Sequence, residues 1–257
     1  MLRKIEDRAR VIYFKERNIH MIKKEIIRRG PFNLMGYETE DILPKGGFGA
    51  LMARAGVGKT AFMVQVALDQ LLRDKNVLHI SLSEPVEKVC LWYEEVFRNI
   101  VQGCGIKKLD PFWEKILPNR FIMTFKAEGF SVPKLQERIS DLTEQGIFYP
   151  QIVFIDGLPF EEIPRDLLAE LKEIGKVQGM SIWFTVRSHR HEETSPEGMP
   201  VSFLDVADLF DVVIELRPQG KEVCVKALKG GPSKEEGPLI LDPSTMMIRD
   251  MLEAKTA

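Results

Sequence analysis

The segment Ala53-Arg54-Ala55-Gly56-Val57-Gly58-Lys59-Thr60 combines the residue types needed to hold a string of phosphates. Small residues let the backbone wrap closely, so that several N–H groups point inward at phosphate oxygens. A helix opening at this point adds the positive end of its dipole. Lys59 can reach β- and γ-phosphates, and the Thr60 hydroxyl can ligate magnesium. Ala55, Gly56, Val57, Gly58, Lys59, Thr60 and Ala61 are the residues expected to line a bound nucleotide. The usual pattern begins with glycine, and here that position is Ala53. At average composition the relaxed pattern arises by chance in roughly one chain of this length in fifty. Its place between a predicted strand and a predicted helix therefore carries much of the weight.

Two carboxylates fall where they can serve such a loop. Asp156 closes the run Gln151-Ile152-Val153-Phe154-Ile155, which puts its carboxylate at the C-terminal edge of a sheet. Ligand crevices of open α/β sheets lie at that edge, and a carboxylate there can hold magnesium through water. The structural alternative is a cap for the following turn. Glu84 lies just past Val77-Leu78-His79-Ile80-Ser81-Leu82, the first strand after the loop's helix. From there a carboxylate can orient and polarise an attacking water, the alternative being an N-capping or surface glutamate before Pro85.

Alternating strands and helices must position these groups. Strands are predicted over 48–53, 76–82, 121–125, 151–156 and 181–186, with helices over 60–73, 86–100, 132–145 and 164–177. The unbroken apolar strands imply burial on both faces of a parallel sheet, and the alternation implies right-handed crossovers. Later strands over 211–216, 222–228 and 238–241, with another over 246–248, have no helices between them and imply an antiparallel edge. Ahead of all this, Ile5, Ala9, Ile12, Ile19, Ile22 and Ile26 recur at helical spacing until Gly30-Pro31 stops the run. Residues 1–31 are thus expected to form a basic amphipathic helix or arm, and 32–257 a single domain. That helix has three readings: packing on its own domain, docking on a neighbouring subunit or other protein partner, and contact with nucleic acid.

Charge and composition narrow the field. The net charge is −2, yet 1–30 carries ten Lys or Arg against four Asp or Glu, leaving −8 for the remainder. A basic arm on an acidic body is not a general polycation. No apolar run approaches the ~18 residues of a membrane span, and MLRKIEDRAR lacks the apolar stretch of a secretory signal. A cytoplasmic protein with no membrane partner is expected, with Cys90, Cys104 and Cys224 as reduced thiols. His189 and His191 read as part of a polar loop rather than a metal site.

Taken together, the chain resembles the RecA superfamily of P-loop ATPases, in the branch of DnaB-type helicases and KaiC-like ATPases. The resemblance covers roughly 32–249 and rests on Gly46-Gly47 before the loop, Ile80-Ser81-Leu82-Ser83-Glu84, Ile155-Asp156-Gly157-Leu158 and Ala227-Leu228-Lys229-Gly230-Gly231-Pro232. It implies a RecA-like fold, a mostly parallel twisted sheet with helices on both faces and antiparallel late strands. It further implies ATP and Mg2+ as cofactors, hydrolysis coupled to conformational change or assembly, and a homo-oligomeric ring such as a hexamer. Glu84 matches the catalytic glutamate, with Ser83 in place of a preceding glutamate found in KaiC-like members. Lys229 matches the cationic finger that reaches a neighbouring subunit's γ-phosphate, with Ala227 where a first cation usually stands. The family's sensor glutamine corresponds to Val186, with Thr185, Arg187 and Ser188 polar nearby.

The two loops that grip single-stranded DNA in the family's motors correspond to 157–165 and 188–203. They hold Glu161, Glu162, Glu192, Glu193 and Glu197 against Arg165 and Arg190. Backbone phosphates demand cations, so a DNA-binding motor is disfavoured. The remaining alternative is a nucleotide-dependent oligomeric switch with little hydrolysis.

Overall fold

The computed structural model describes residues 21–37, 42–105, 110–190, 192–220, 222–232, 239–242, 245 and 247–250. Apolar runs flanked by helices require burial on both faces, and the first strands lie that way. β1 (Phe48–Ala53), β2 (Val77–Ser81) and β4 (Ile152–Asp156) are buried at every position. With β3 (Arg120–Thr124), β5 (Ser181–Arg187) and β6 (Val212–Gln219) they form a parallel sheet in the order β3-β2-β4-β5-β1-β6. β7 (Glu222–Lys229), β8 (Leu239–Leu241) and β9 (Ile248–Asp250) extend it in antiparallel fashion. Only two residues separate β6 from β7, enough for a hairpin and far too few for a parallel crossover.

Helices cover both faces. One face carries α1 (21–28), α2 (Pro31–Leu34), α3 (Lys59–Leu72), α4 (Val86–Gly103) and α5 (Asp110–Ile116). The other carries α6 (Val132–Glu144), α7 (Arg165–Gln178) and α8 (Val201–Leu204). α3, which follows the glycine-rich segment, is the most enclosed of them, with an unbroken buried run from Phe62 to Leu72. Truncating one of its large core side chains, such as Phe62→Ala, should cost about 3–5 kcal/mol, so the helix is a rigid support. α6 starts at Ser131, whose hydroxyl accepts from the Lys134 N–H, and α7 stops at Gly179, whose φ of 69° a side chain would resist.

A contact between β1 and β5 fixes their register. Gly49 pairs with Trp183, and a Cβ on Gly49 would stand 2.4 Å from the indole ring. The missing side chain lets the indole lie flat across β1, where Phe32 of α2 packs on it with ring centroids 5.5 Å apart.

The expected elements are present, with shifted ends. The helix expected over 86–100 continues to Gly103, the strand expected over 121–125 runs one residue earlier, and that expected over 211–216 continues to Gln219. Pro164, expected in the first turn of α7, is its N-cap. No element is expected from the sequence at either α2 or α5; both are too short to show a helical period. α1 packs on its own chain: Ile26 is buried in the same apolar cluster as Phe32 and the α3 core, with Ile22 and Ile27 beside it. The boundary expected at 31/32 therefore passes through one continuous core, while residues 1–20 of the expected arm lie outside the described residues. No helix among the described residues is long and apolar enough to cross a membrane.

Candidate functional site

Between β1 and α3 the chain turns sharply through Gly56 and Gly58, with φ of 77° and 101°. Both values lie in the left-handed region, where glycine carries no steric penalty. Nothing lies within 4 Å of where a Gly56 Cβ would stand, so the loop borders open space. α3 begins without a side-chain cap, leaving its first N–H groups for an outside acceptor. The Lys59 ammonium folds back over the loop and donates to the carbonyls of Ala53 at 3.0 Å and Arg54 at 3.2 Å. Burial lowers its pKa, Asp156 opposes that shift and Arg187 reinforces it. Two neutral carbonyls are modest partners for a partly desolvated cation, so an anion here would gain from it.

The strand order explains how Asp156 reaches this loop. β5 lies between β4, which ends at Asp156, and β1, which leads into the loop. Thr185 of β5, two residues before that strand ends at Arg187, lies between them. Thr60 Oγ1 donates to Asp156 Oδ2 at 2.9 Å, and Thr185 Oγ1 donates to Asp156 Oδ1 at 2.6 Å. Thr185 Oγ1 in turn accepts from the Gly157 N–H at 3.0 Å. Asp156 and Thr185 are both buried, so this carboxylate is anchored on each oxygen.

Glu84 lies at the same sheet edge, three residues beyond Ser81, which pairs with Asp156 in register. Its N–H donates to Ser81 Oγ at 3.0 Å, and its carboxylate accepts from Lys88 Nζ at 2.8 Å. The structure thus brings Lys59, Thr60 and Asp156 together and leaves Glu84 nearby but turned to Lys88. Lys229 is elsewhere. It pairs with Val213 near the start of β6, next to Gly230, where a Cβ would stand 2.1 Å from the Asp211 carbonyl oxygen at the edge where β1 begins. Its ammonium donates to the Ala207 carbonyl at 2.8 Å. Within one chain it does not approach the glycine-rich loop.

The two loops weighed for nucleic acid are tied into the fold. Phe160 of the first packs against Phe184, Phe203 and Phe210 at centroid distances of 5.5–6.0 Å. Its neighbour Arg165 forks onto Asp208, both contacts at 2.6 Å. In the second, Glu192 accepts from the His189 and Ser202 N–H groups and from the Ser202 hydroxyl. Arg54 reaches across to the Arg190 carbonyl at 3.4 Å.

Behind Asp156, on the same face of the sheet, His79 is completely buried, with Nδ1 3.1 Å from the Tyr93 hydroxyl. Burial pushes its pKa down to about 4, Asp156 opposes the shift and Arg120 adds to it. Arg120 lies over the Tyr93 ring at 4.7 Å. A cavity of about 450 Å3 lies toward the far end of α3, bordered by Gly30, Asp69, Leu72, Ile100 and Cys104, and shares no residue with the loop.

From the sequence, Thr185 is a polar residue with no assigned role, and Lys88 has none. A polar residue inside the apolar strand of β5 is the signal for the first. The four-residue spacing from Glu84 is the signal for the second. No protein-family model matches the chain, and no curated protein matches it.

Proposed function

We propose that the chain is a RecA-like, magnesium-dependent ATP-binding protein and ATPase. The observation that carries this reading is the pairing of Thr60 with Asp156 beside a glycine-rich loop that enters an uncapped helix. The donor set fits magnesium. Two hard oxygens, one hydroxyl and one carboxylate, stand 2.9 Å apart. Oxygens of this kind, taken directly or through water, are the ligands magnesium prefers. Thr60 and Asp156 would hold the ion, and when bound it would neutralise charge on the phosphate oxygens.

The chain's own residues supply the remaining functions. N–H groups from Ala55 to Ala61 would cradle the phosphates, with Lys59 leaving its two carbonyls for the β- and γ-phosphate oxygens. Glu84 would orient the attacking water and accept its proton, once its carboxylate turns away from Lys88. Lys229 would act only across a subunit boundary, because it lies at the wrong end of its own sheet. ATP rather than another nucleotide follows from the resemblance, as does a ring of identical subunits.

Direct binding of ATP with Lys59→Ala as control tests the site, since tight binding retained by that variant would contradict it. Phosphate release with and without single-stranded DNA, comparing the parent with Glu84→Gln, tests the chemistry. Turnover that depends on Glu84 and ignores DNA is expected. The hold of Lys88 on Glu84 favours a second reading, a nucleotide-dependent switch of assembly with little hydrolysis. ATP binding and nucleotide-dependent association without turnover would select it.

A further inference from the structure

Thr185 stands between two groups that no other described side chain connects. Its hydroxyl donates to Asp156 Oδ1 at 2.6 Å and accepts from the Gly157 N–H at 3.0 Å. It is 3 % exposed, and its neighbours on β5, Phe184 and Val186, are apolar and buried. A β-branched apolar residue would fill this volume as well, so packing does not require the hydroxyl.

The inference rests on Thr60 and Asp156 being the pair that holds magnesium. In the structure each Asp156 oxygen is held by one hydroxyl: Oδ2 by Thr60 and Oδ1 by Thr185. A metal held by the Thr60 oxygen takes one of its lone pairs and leaves the O–H to donate, so Thr60 can keep Oδ2 while Thr185 keeps Oδ1. Thr185 fixes the oxygen that Thr60 does not, and with it the plane of the carboxylate. Partners that orient metal-binding groups in this way typically change metal affinity 10–100-fold when removed.

The same hydroxyl reaches the other way. Gly157, at φ 86°, opens the segment that leads to Phe160 and Arg165, and its N–H is bound to Thr185. The direction of donation runs from Gly157 N–H to Thr185 and from Thr185 O–H to Asp156. A carboxylate that gains a cation becomes a weaker acceptor, and the Thr185 bond to it changes with occupancy.

We infer that Thr185 is a positioning residue, whose hydroxyl holds Asp156 in its metal-binding orientation and ties the start of the 157–163 segment to the occupancy of that site. Its contribution is separable from packing and from phosphate binding, which stays with Lys59 and the loop.

The test is the affinity of the full chain for a fluorescent ATP analogue, measured in excess magnesium and again in EDTA. The ratio of the two affinities reads the metal's contribution. Thr185→Val should lower that ratio 10–100-fold and leave the EDTA affinity unchanged, while Thr185→Ser keeps the ratio within about threefold of the parent. A valine variant with the parent's ratio overturns the inference, as does a serine variant as impaired as valine. Should the valine variant not fold, as judged by its melting transition, Thr185→Ala carries the same comparison. A parent with equal affinity in both conditions also overturns the inference while leaving nucleotide binding intact. A parent that binds no nucleotide at all refutes the underlying reading instead. Amide exchange gives the second readout: magnesium and nucleotide should change the Gly157 rate in the parent and not in Thr185→Val.

Discussion

The two edges of the parallel sheet use their polar groups in opposite ways. At the edge where β1 ends, Thr60 and Thr185 meet on one carboxylate, Gly56 faces open space, and Lys59 rests on two neutral carbonyls. At the edge where β1 begins, three cations from two elements, α7 and β7, stitch down one segment. Arg165 forks onto Asp208, Lys172 binds the Leu209 carbonyl and Asp211, and Lys229 binds the Ala207 carbonyl. Asp211 also accepts from the Phe48 N–H at 2.8 Å. One edge keeps its strongest donor on weak, replaceable acceptors. The other pairs Arg165 with Asp208 and Lys172 with Asp211, and ties only Lys229 to a neutral carbonyl. Charge density alone does not mark a ligand site; what matters is whether the charges are already matched.

That contrast makes Lys59→Ala the most damaging change at the first edge. It should weaken ATP binding about 100-fold or more, equivalent to ~2.7 kcal/mol, while the melting midpoint stays close to the parent's. Isothermal titration and thermal melting together measure both halves. If Lys59→Ala instead unfolded the chain, the first edge would be as structural as the second.

Behind the first edge, His79 should make stability depend on pH. Its folded pKa of about 4 lies below the ordinary 6.5, so the folded chain keeps it neutral. As pH falls below 6.5 the unfolded chain takes up a proton that the folded chain refuses. Stability complete above 6.5 is therefore lost progressively down to about pH 4 and is flat below it for this group. The slope is at most about 1.4 kcal/mol per pH unit. Urea midpoints across this range should show it in the parent, and His79→Leu should remove most of it.

The second edge answers to smaller losses. Asp211→Ala removes the acceptor for both Phe48 N–H and Lys172 and should cost about 1–2 kcal/mol, read from urea midpoints, with nucleotide affinity unchanged. Arg165→Gln is the mildest. Asp208 holds Arg165 above its usual pKa, and Arg165 holds the Asp208 carboxyl down to about 2, yet both are solvent-exposed. Its effect on the melting midpoint should be small at low salt and vanish at high salt.

Much of this arrangement was legible before the fold was known. The loop was readable because its chemistry is local: Gly56, Gly58, Lys59 and Thr60 lie within five residues. Asp156 was readable because a carboxylate ending a buried strand emerges at a known edge. Thr185 was less so, because its role depends on β5 lying between β4 and β1, and strand order is a property of the whole sheet. Lys229 shows the same limit. Its motif could be named, but only the hairpin register shows that it lies far from its own chain's loop. The short helices α2 and α5 escaped because one or two turns carry no period.

The gap left by Gly49 also works as a mechanical key. The Trp183 indole occupies the space that a side chain on β1 would fill, and Phe32 closes it from above. Slipping β1 by two residues preserves which face is buried but brings either Gly47 or Leu51 under the ring. Leu51 would collide with it, and Gly47 belongs to the turn before the strand. The root of the loop is thus machined to one setting along the sheet, so ligand-driven movement must be taken up beyond Ala53, by the loop itself and by the segments that border it.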